Sequence, residues 1–207
     1  MNRFKAWPAL LFTLSFTLLL VQGCGGILTS DQPARQYYLL QPLEGYSASA
    51  GDAEVALQVG AIPGLDTDQL LALGTDARLV QYGNARWPDF LPEVLSSTLQ
   101  RSLESTGRFA AVRHADRAAQ DGWLLQLEAR EFYGILDAAG STSSVRIALA
   151  GSLDCGGERH ALNLQDENPV GTQRLANVVA AHQAGLDDVT RQLIERIAQL
   201  CPAQTAD

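Results

Sequence analysis

The stretch GWLLQLEAREFY, residues 122–133, decides the fold: Trp123, Leu125, Leu127 and Ala129 fall on alternate positions, with Gln126, Glu128 and Arg130 between or beyond them. A period of two is that of a strand with one buried and one wet face. A turn-rich DAAGSTSS (137–144) follows. VRIALAGSLDC (145–155) then repeats the pattern through Val145, Ile147, Leu149 and Leu153. By the same parity Cys155 points inward. After a Gly156-Gly157 turn, His160, Leu162 and Leu164 continue the alternation. Consecutive strands joined by turns make an antiparallel meander.

Upstream, Tyr37–Leu40 is a short strand candidate, and EVALQVG (54–60) alternates through Val55, Leu57 and Val59. DTDQLLAL (66–73) offers Asp66 as the N-cap of a short helix, and ARLVQYGNARW (77–87) returns to an extended form. DFLPEVLSSTLQRSLESTG (89–107) predicts a full helix. Asp89 is placed to cap it, Pro92 falls in the first turn, and Gly107 is a stop. Its apolar stripe is Leu91, Val94, Leu95, Leu99 and Leu103. A second amphipathic helix is expected from about Thr172 to Leu200, with Gly185 a point where it kinks or divides. The fold class is therefore α+β: a largely antiparallel sheet with two main amphipathic helices on one face. Phe132 and Tyr133 are read as the end of their strand, before Gly134.

The N-terminus reads as an address. In MNRFKAWPALLFTLSFTLLLVQGC (1–24), Arg3 and Lys5 precede a charge-free apolar run that stops at Gln22 and Gly23. Basic region, apolar region and small residue are the parts of a secretory signal peptide, and the run is too short for a membrane span. Val21-Gln22-Gly23-Cys24 resembles the bacterial lipobox, which implies cleavage before Cys24 and an N-acyl, S-diacylglycerol modification of that residue. The organisation expected is a signal peptide at 1–23, a lipidated flexible tether at 24–36, and one periplasmic domain at 37–203. Gly25 stands where an aspartate would signal inner-membrane retention, so the periplasmic leaflet of the outer membrane is the expected location.

Charge narrows the partners. Without Arg3 and Lys5, 13 basic residues face 23 acidic ones, a formal charge of −10. Such a surface repels phosphates, which excludes nucleic acid as a partner and leaves membrane attachment to the acyl anchor. Lipidation of Cys24 leaves Cys155 and Cys201, a pair suited to one disulfide in an oxidising compartment; two buried thiols are the alternative.

Catalytic chemistry finds no constellation. His114, His160 and His182 are isolated, and neither Cys-x-x-Cys nor His-Glu-x-x-His occurs. Nor is there a Gly-x-Ser-x-Gly elbow, a P-loop or a dinucleotide fingerprint. A non-enzyme without metal or cofactor is expected.

VALQVGAIPGLDTDQLLAL (55–73), NARWPDFLPEVLSSTLQRSLESTGRF (84–109) and LEAREFYG (127–134) together resemble the ABC-type transport auxiliary lipoprotein family. The matching residues are Leu65-Asp66, Gln69, Arg86-Trp87 and Gly107-Arg108-Phe109; relatives often carry a basic residue and proline where this chain has Thr67-Asp68. The resemblance implies an accessory subunit of an envelope lipid transport system. Its partners would be an MCE-domain protein with its ABC permease and ATPase, and a homo-oligomer is compatible with it. Rival readings are an outer-membrane assembly or secretion lipoprotein, and a stand-alone lipid-binding module with its own cavity. Asp66, Arg86, Trp87, Phe132 and Tyr133 are the candidate interface residues. For Arg86 and Trp87 the alternative is structural, with Trp87 covering the helix and Arg86 solvated.

Overall fold

The computed structural model describes residues 34–47, 51–117, 122–172 and 174–202. The signal peptide, Cys24 and the tether up to residue 33 lie outside the described residues.

Eight strands form one sheet: β1 Gln36–Tyr37, β2 Glu54–Ala61, β3 Gln69–Leu73, β4 Leu79–Arg86, β5 Ala111–His114, β6 Trp123–Leu136, β7 Thr142–Cys155 and β8 Glu158–Pro169. Helix α1 spans Leu91–Ser105 and α2 spans Leu175–Leu200. The meander is present: β6 pairs antiparallel with β7, and β7 with β8. The other edge of the 14-residue β6 is shared, with β2 parallel to its first half and β3 parallel to Gly134–Ile135. β5 extends the sheet beyond β2, and β4 and β1 extend it beyond β3.

Four of the seven pairings are parallel, so the sheet is mixed, not largely antiparallel. The physical reason is connectivity. Between β2 and β5 the chain passes through β3, β4 and α1, and a connection of that length lets two strands meet in parallel, which a tight hairpin does not.

DTDQLLAL holds a strand, not a helix. Leu70, Leu71 and Ala72 are all buried, and β3 lies between β4 and β6. A strand enclosed on both faces loses its period of two and becomes a short apolar run that helix and strand share. Nor are Phe132 and Tyr133 at a strand end; β6 continues to Leu136. A bulge at Arg130 shifts the register, so Phe132 joins the core row and Tyr133 faces the other way.

The predicted stripe of α1 and an apolar stripe of α2 enter a single core. In α1, Leu91, Val94, Leu95, Leu99 and Leu103 are buried; in α2, Leu186, Val189, Leu193 and Ile197 are. They meet Leu57, Leu125, Ile147, Leu149 and Leu153 on the inner rows of the sheet. Gln58, Glu128, Arg146 and Gln165 mark the outer face.

Two helix details depart from expectation. Phe90, not Asp89, is the N-cap of α1, and it makes no side-chain cap bond; Asp89 Oδ1 accepts instead from the Phe90 N–H at 2.8 Å. Helix α2 runs without a break through Gly185. That glycine permits close approach: a Cβ there would stand 3.0 Å from Ile147 Cδ1 and 3.1 Å from Asn168 Nδ2.

Candidate functional site

The family-like residues converge on one junction. Loop 62–68 runs from β2 to β3, with Leu65 buried beneath it. The Thr67 carbonyl accepts from the Leu91 N–H at 3.0 Å, and the Asp68 carbonyl accepts from the Trp87 N–H at 2.7 Å. The first of these bonds satisfies a donor at the start of α1 that has no helical partner. Gln69 and Arg86 stand opposite one another in the β3–β4 ladder. The Arg86 guanidinium lies 3.7 Å from Asp68 Oδ1 and donates to the carbonyls of Ala85 (2.8 Å) and Gly83 (3.2 Å). Arg86 is therefore half-buried and engaged, not freely solvated. Its acidic partner is Asp68; Asp66 is exposed two residues away.

Trp87 is 2% exposed. Its ring meets Phe132 edge-on at 5.7 Å and His182 at 5.5 Å, and Phe132 and His182 are 5.2 Å apart. The three rings tie β4, β6 and α2 together. His182 Nδ1 lies 2.9 Å from the Val178 carbonyl, so Nδ1 carries the proton, and Nε2 has no hydrogen-bond partner. Burial pushes the His182 pKa down to about 4.

Tyr133, on the outer face, donates to Glu131 Oε1 at 3.1 Å. Burial, with the Glu131 carboxylate adding to it, pushes its phenol up to about 12. Arg146 bridges Glu131 and Glu167 beside it. Thus the structure separates the five interface candidates. Trp87 and Phe132 share the core, Arg86 braces the junction, Tyr133 sits in a polar cluster opposite, and Asp66 is on the surface.

At another end of the sheet, Cys155 and Cys201 stand at disulfide distance with Cα atoms 6.3 Å apart. Arg108, 6% exposed, donates from Nη2 to the Cys201 carbonyl at 2.6 Å. A cation there complements the carbonyl end of α2. A cleft of about 530 Å³ opens beside the pair, lined by Arg108, Trp123, Glu158, His160 and Leu200 among others. His160 and both sulfurs offer ligand-type atoms within 4.8 Å of one another. The cleft is open and partly charged, unlike an enclosed apolar lipid chamber.

The remaining imidazoles are also engaged: His114 with Asp116 at 2.9 Å, and His160 with Glu158 at 3.8 Å. Among the described residues none of the three histidines hydrogen-bonds a serine or threonine hydroxyl.

Three surface residues near the junction were not among the interface candidates read from the sequence. Tyr37, Leu39 and Phe90 are 56%, 65% and 53% exposed. Tyr37 stands opposite Arg86 in the β1–β4 ladder, and Leu39 shares a groove with Pro88.

Residues 37–194 match the sequence profile of the ABC-type transport auxiliary lipoprotein component family. The chain belongs to that family. In this transport auxiliary lipoprotein the matched span runs from β1 into the second half of α2 and includes the whole junction. No curated protein matches it. The crystal structure of an uncharacterized protein superposes with a TM-score of 0.64 at 18% identity, covering 80% of this chain and 99% of that one. A DUF330-family protein from Xanthomonas campestris gives 0.62 at 22% identity, covering 78% and 94%. At these identities the likeness is one of fold.

Proposed function

We propose that this auxiliary lipoprotein is a non-catalytic subunit of an MCE/ABC-type lipid transport system, anchored through acylated Cys24 to the periplasmic leaflet of the outer membrane. The observation that carries the reading is the family match over residues 37–194, which spans the folded domain. Residue chemistry supports it. The family-like residues Leu65, Gln69, Arg86 and Trp87 are spent on bracing β3, β4 and α1, and none is poised for a reaction. The lipobox-like Val21–Cys24 and Gly25 supply the anchor and its address. A tether of about a dozen residues reaches roughly 20 Å, so the span across the periplasm belongs to the MCE and permease partners. The disulfide between Cys155 and Cys201 belongs to the same reading, since the periplasm is oxidising.

Genetic interaction tests the proposal. Deleting the gene should raise outer-membrane permeability to the same degree as deleting the MCE gene, and the double deletion should be no worse than either. An additive double deletion would place the protein in a different system. Labelling of the wild type with a radioactive fatty acid, lost in Cys24→Ala, tests the anchor separately.

A further inference from the structure

We propose that the corner of the domain bearing Tyr37, Leu39 and Phe90 rests on the lipid bilayer, with these side chains inserted at headgroup level. The inference builds on the anchoring at Cys24 proposed above and adds a defined contact face to it.

Local physics calls for polar residues at these positions, and the chain has large apolar ones. In Tyr37-Tyr38-Leu39-Leu40, Tyr38 and Leu40 turn inward against the core, whereas Tyr37 and Leu39 turn out. An edge segment with one wet face normally alternates apolar with polar. Phe90 occupies the N-cap of α1, where serine, threonine, aspartate or asparagine would bond a free N–H; it makes no such bond and stands half-exposed. Neither the core nor the helix end gains from these choices.

The three residues lie on two adjoining segments. Tyr37 is paired with Arg86, the Tyr38 N–H donates to the Arg86 carbonyl at 2.9 Å, and Leu39 shares a groove with Pro88, two residues before Phe90. Of the five large apolar side chains exposed among the described residues, three lie on these two short segments. That clustering distinguishes them from the scattered exposed leucines of any surface.

Chain length names the occupant. Tyr37 lies 13 residues after Cys24, a segment with a root-mean-square reach of roughly 20 Å. β1 is the first described element after Cys24, and its corner is therefore the part of the described domain that an anchor there holds closest to the bilayer. Tyrosine, phenylalanine and leucine are residue types that settle at a membrane interface. Arg101 in the groove is offset by Asp89 and Glu93, so the contact is apolar and does not need anionic lipid.

The test uses the full chain, processed in cells and reconstituted into phosphatidylethanolamine/phosphatidylcholine vesicles. Single cysteines at Tyr37→Cys, Leu39→Cys and Phe90→Cys are labelled with an environment-sensitive fluorophore, with Arg159→Cys as control. Arg159 lies near the start of the far edge strand β8, five strand spacings or about 24 Å from β1. With Cys24 acylated and Cys155 and Cys201 joined, the added cysteine is the one free thiol. The expected result is a blue-shifted emission at all three corner positions, quenched several-fold more by shallow nitroxide lipids than at position 159. Equal quenching at all four positions, in protein whose intact mass shows acylated Cys24, overturns the contact face and leaves the anchor standing. A mass without acyl chains overturns anchor and contact face together. Shielding that arises only when a purified MCE protein is added makes the corner a protein-docking face and overturns the bilayer assignment.

Discussion

His182 makes the domain acid-sensitive in a range where carboxylates alone would not. Its imidazole is wholly buried between Trp87 and Phe132, and its pKa falls to about 4 from an ordinary 6.5. The folded state therefore holds it neutral while the unfolded chain takes up a proton below pH 6.5. Stability is full above that pH and is lost as pH falls toward 4. Linkage over the two pKa values gives a loss of about 2 kcal/mol between pH 7 and pH 5, rising to about 3 kcal/mol at pH 4. For a domain of this size the loss at pH 5 corresponds to roughly 4–8 °C in Tm. Asp166 and Asp187, whose carboxyls burial raises, act in the opposite direction at lower pH and do not mimic the effect. His182→Gln retains a donor for the Val178 carbonyl and removes the titration. Urea unfolding at pH 7, 6 and 5 should show a steep decline in the wild type and a flat profile in the variant. Equal slopes in the two proteins would refute a buried neutral His182.

Three further perturbations test the packing. Trp87→Ala removes the largest ring of the aromatic cluster and should cost about 3–5 kcal/mol in urea unfolding, with no gain in solvent-exposed apolar surface beforehand. Breaking the Cys155–Cys201 pair by Cys201→Ser releases a 46-residue separation, which the chain-entropy model values at about 4 kcal/mol; thermal unfolding with and without reductant reads it. Gly151→Ala would place a Cβ 1.9 Å from the Gln126 carbonyl oxygen, so the strands must part. Its cost should reach about 3 kcal/mol or abolish soluble expression. Gly60→Ala, where a Cβ meets nothing within 4 Å, is the matched control and should be near neutral.

Alternation made the meander legible, because β6 and β8 keep polar residues on their outer face and β7 alternates large apolar residues with small or polar ones. β3 was not legible for the converse reason: Leu70, Leu71 and Ala72 are all buried, and the period vanishes. The bulge at Arg130 leaves no local signature, yet it decides that Phe132 joins the inner row and Tyr133, also buried, the opposite one. Parallel pairing depends on which strands meet across α1, a matter of contacts far apart in the chain. At the junction, the pairing of Arg86 with Asp68 rests on the register of β3 against β4. Likewise the bond from Arg108 to Cys201 joins positions 93 residues apart, and no spacing announces it. Trp87 carried two readings in the sequence; apolar burial is worth more than exposure for a ring of that size, and the core holds it.

The most direct measurement is a crosslinked pull-down of the C-terminally tagged protein from intact cells, with Cys24→Ala alongside, its partners identified by mass spectrometry. The account predicts recovery of an MCE-domain protein with the wild type and its loss or weakening with Cys24→Ala. Recovery of outer-membrane assembly or secretion components in its place would contradict the transport role and leave the family relationship a statement about fold.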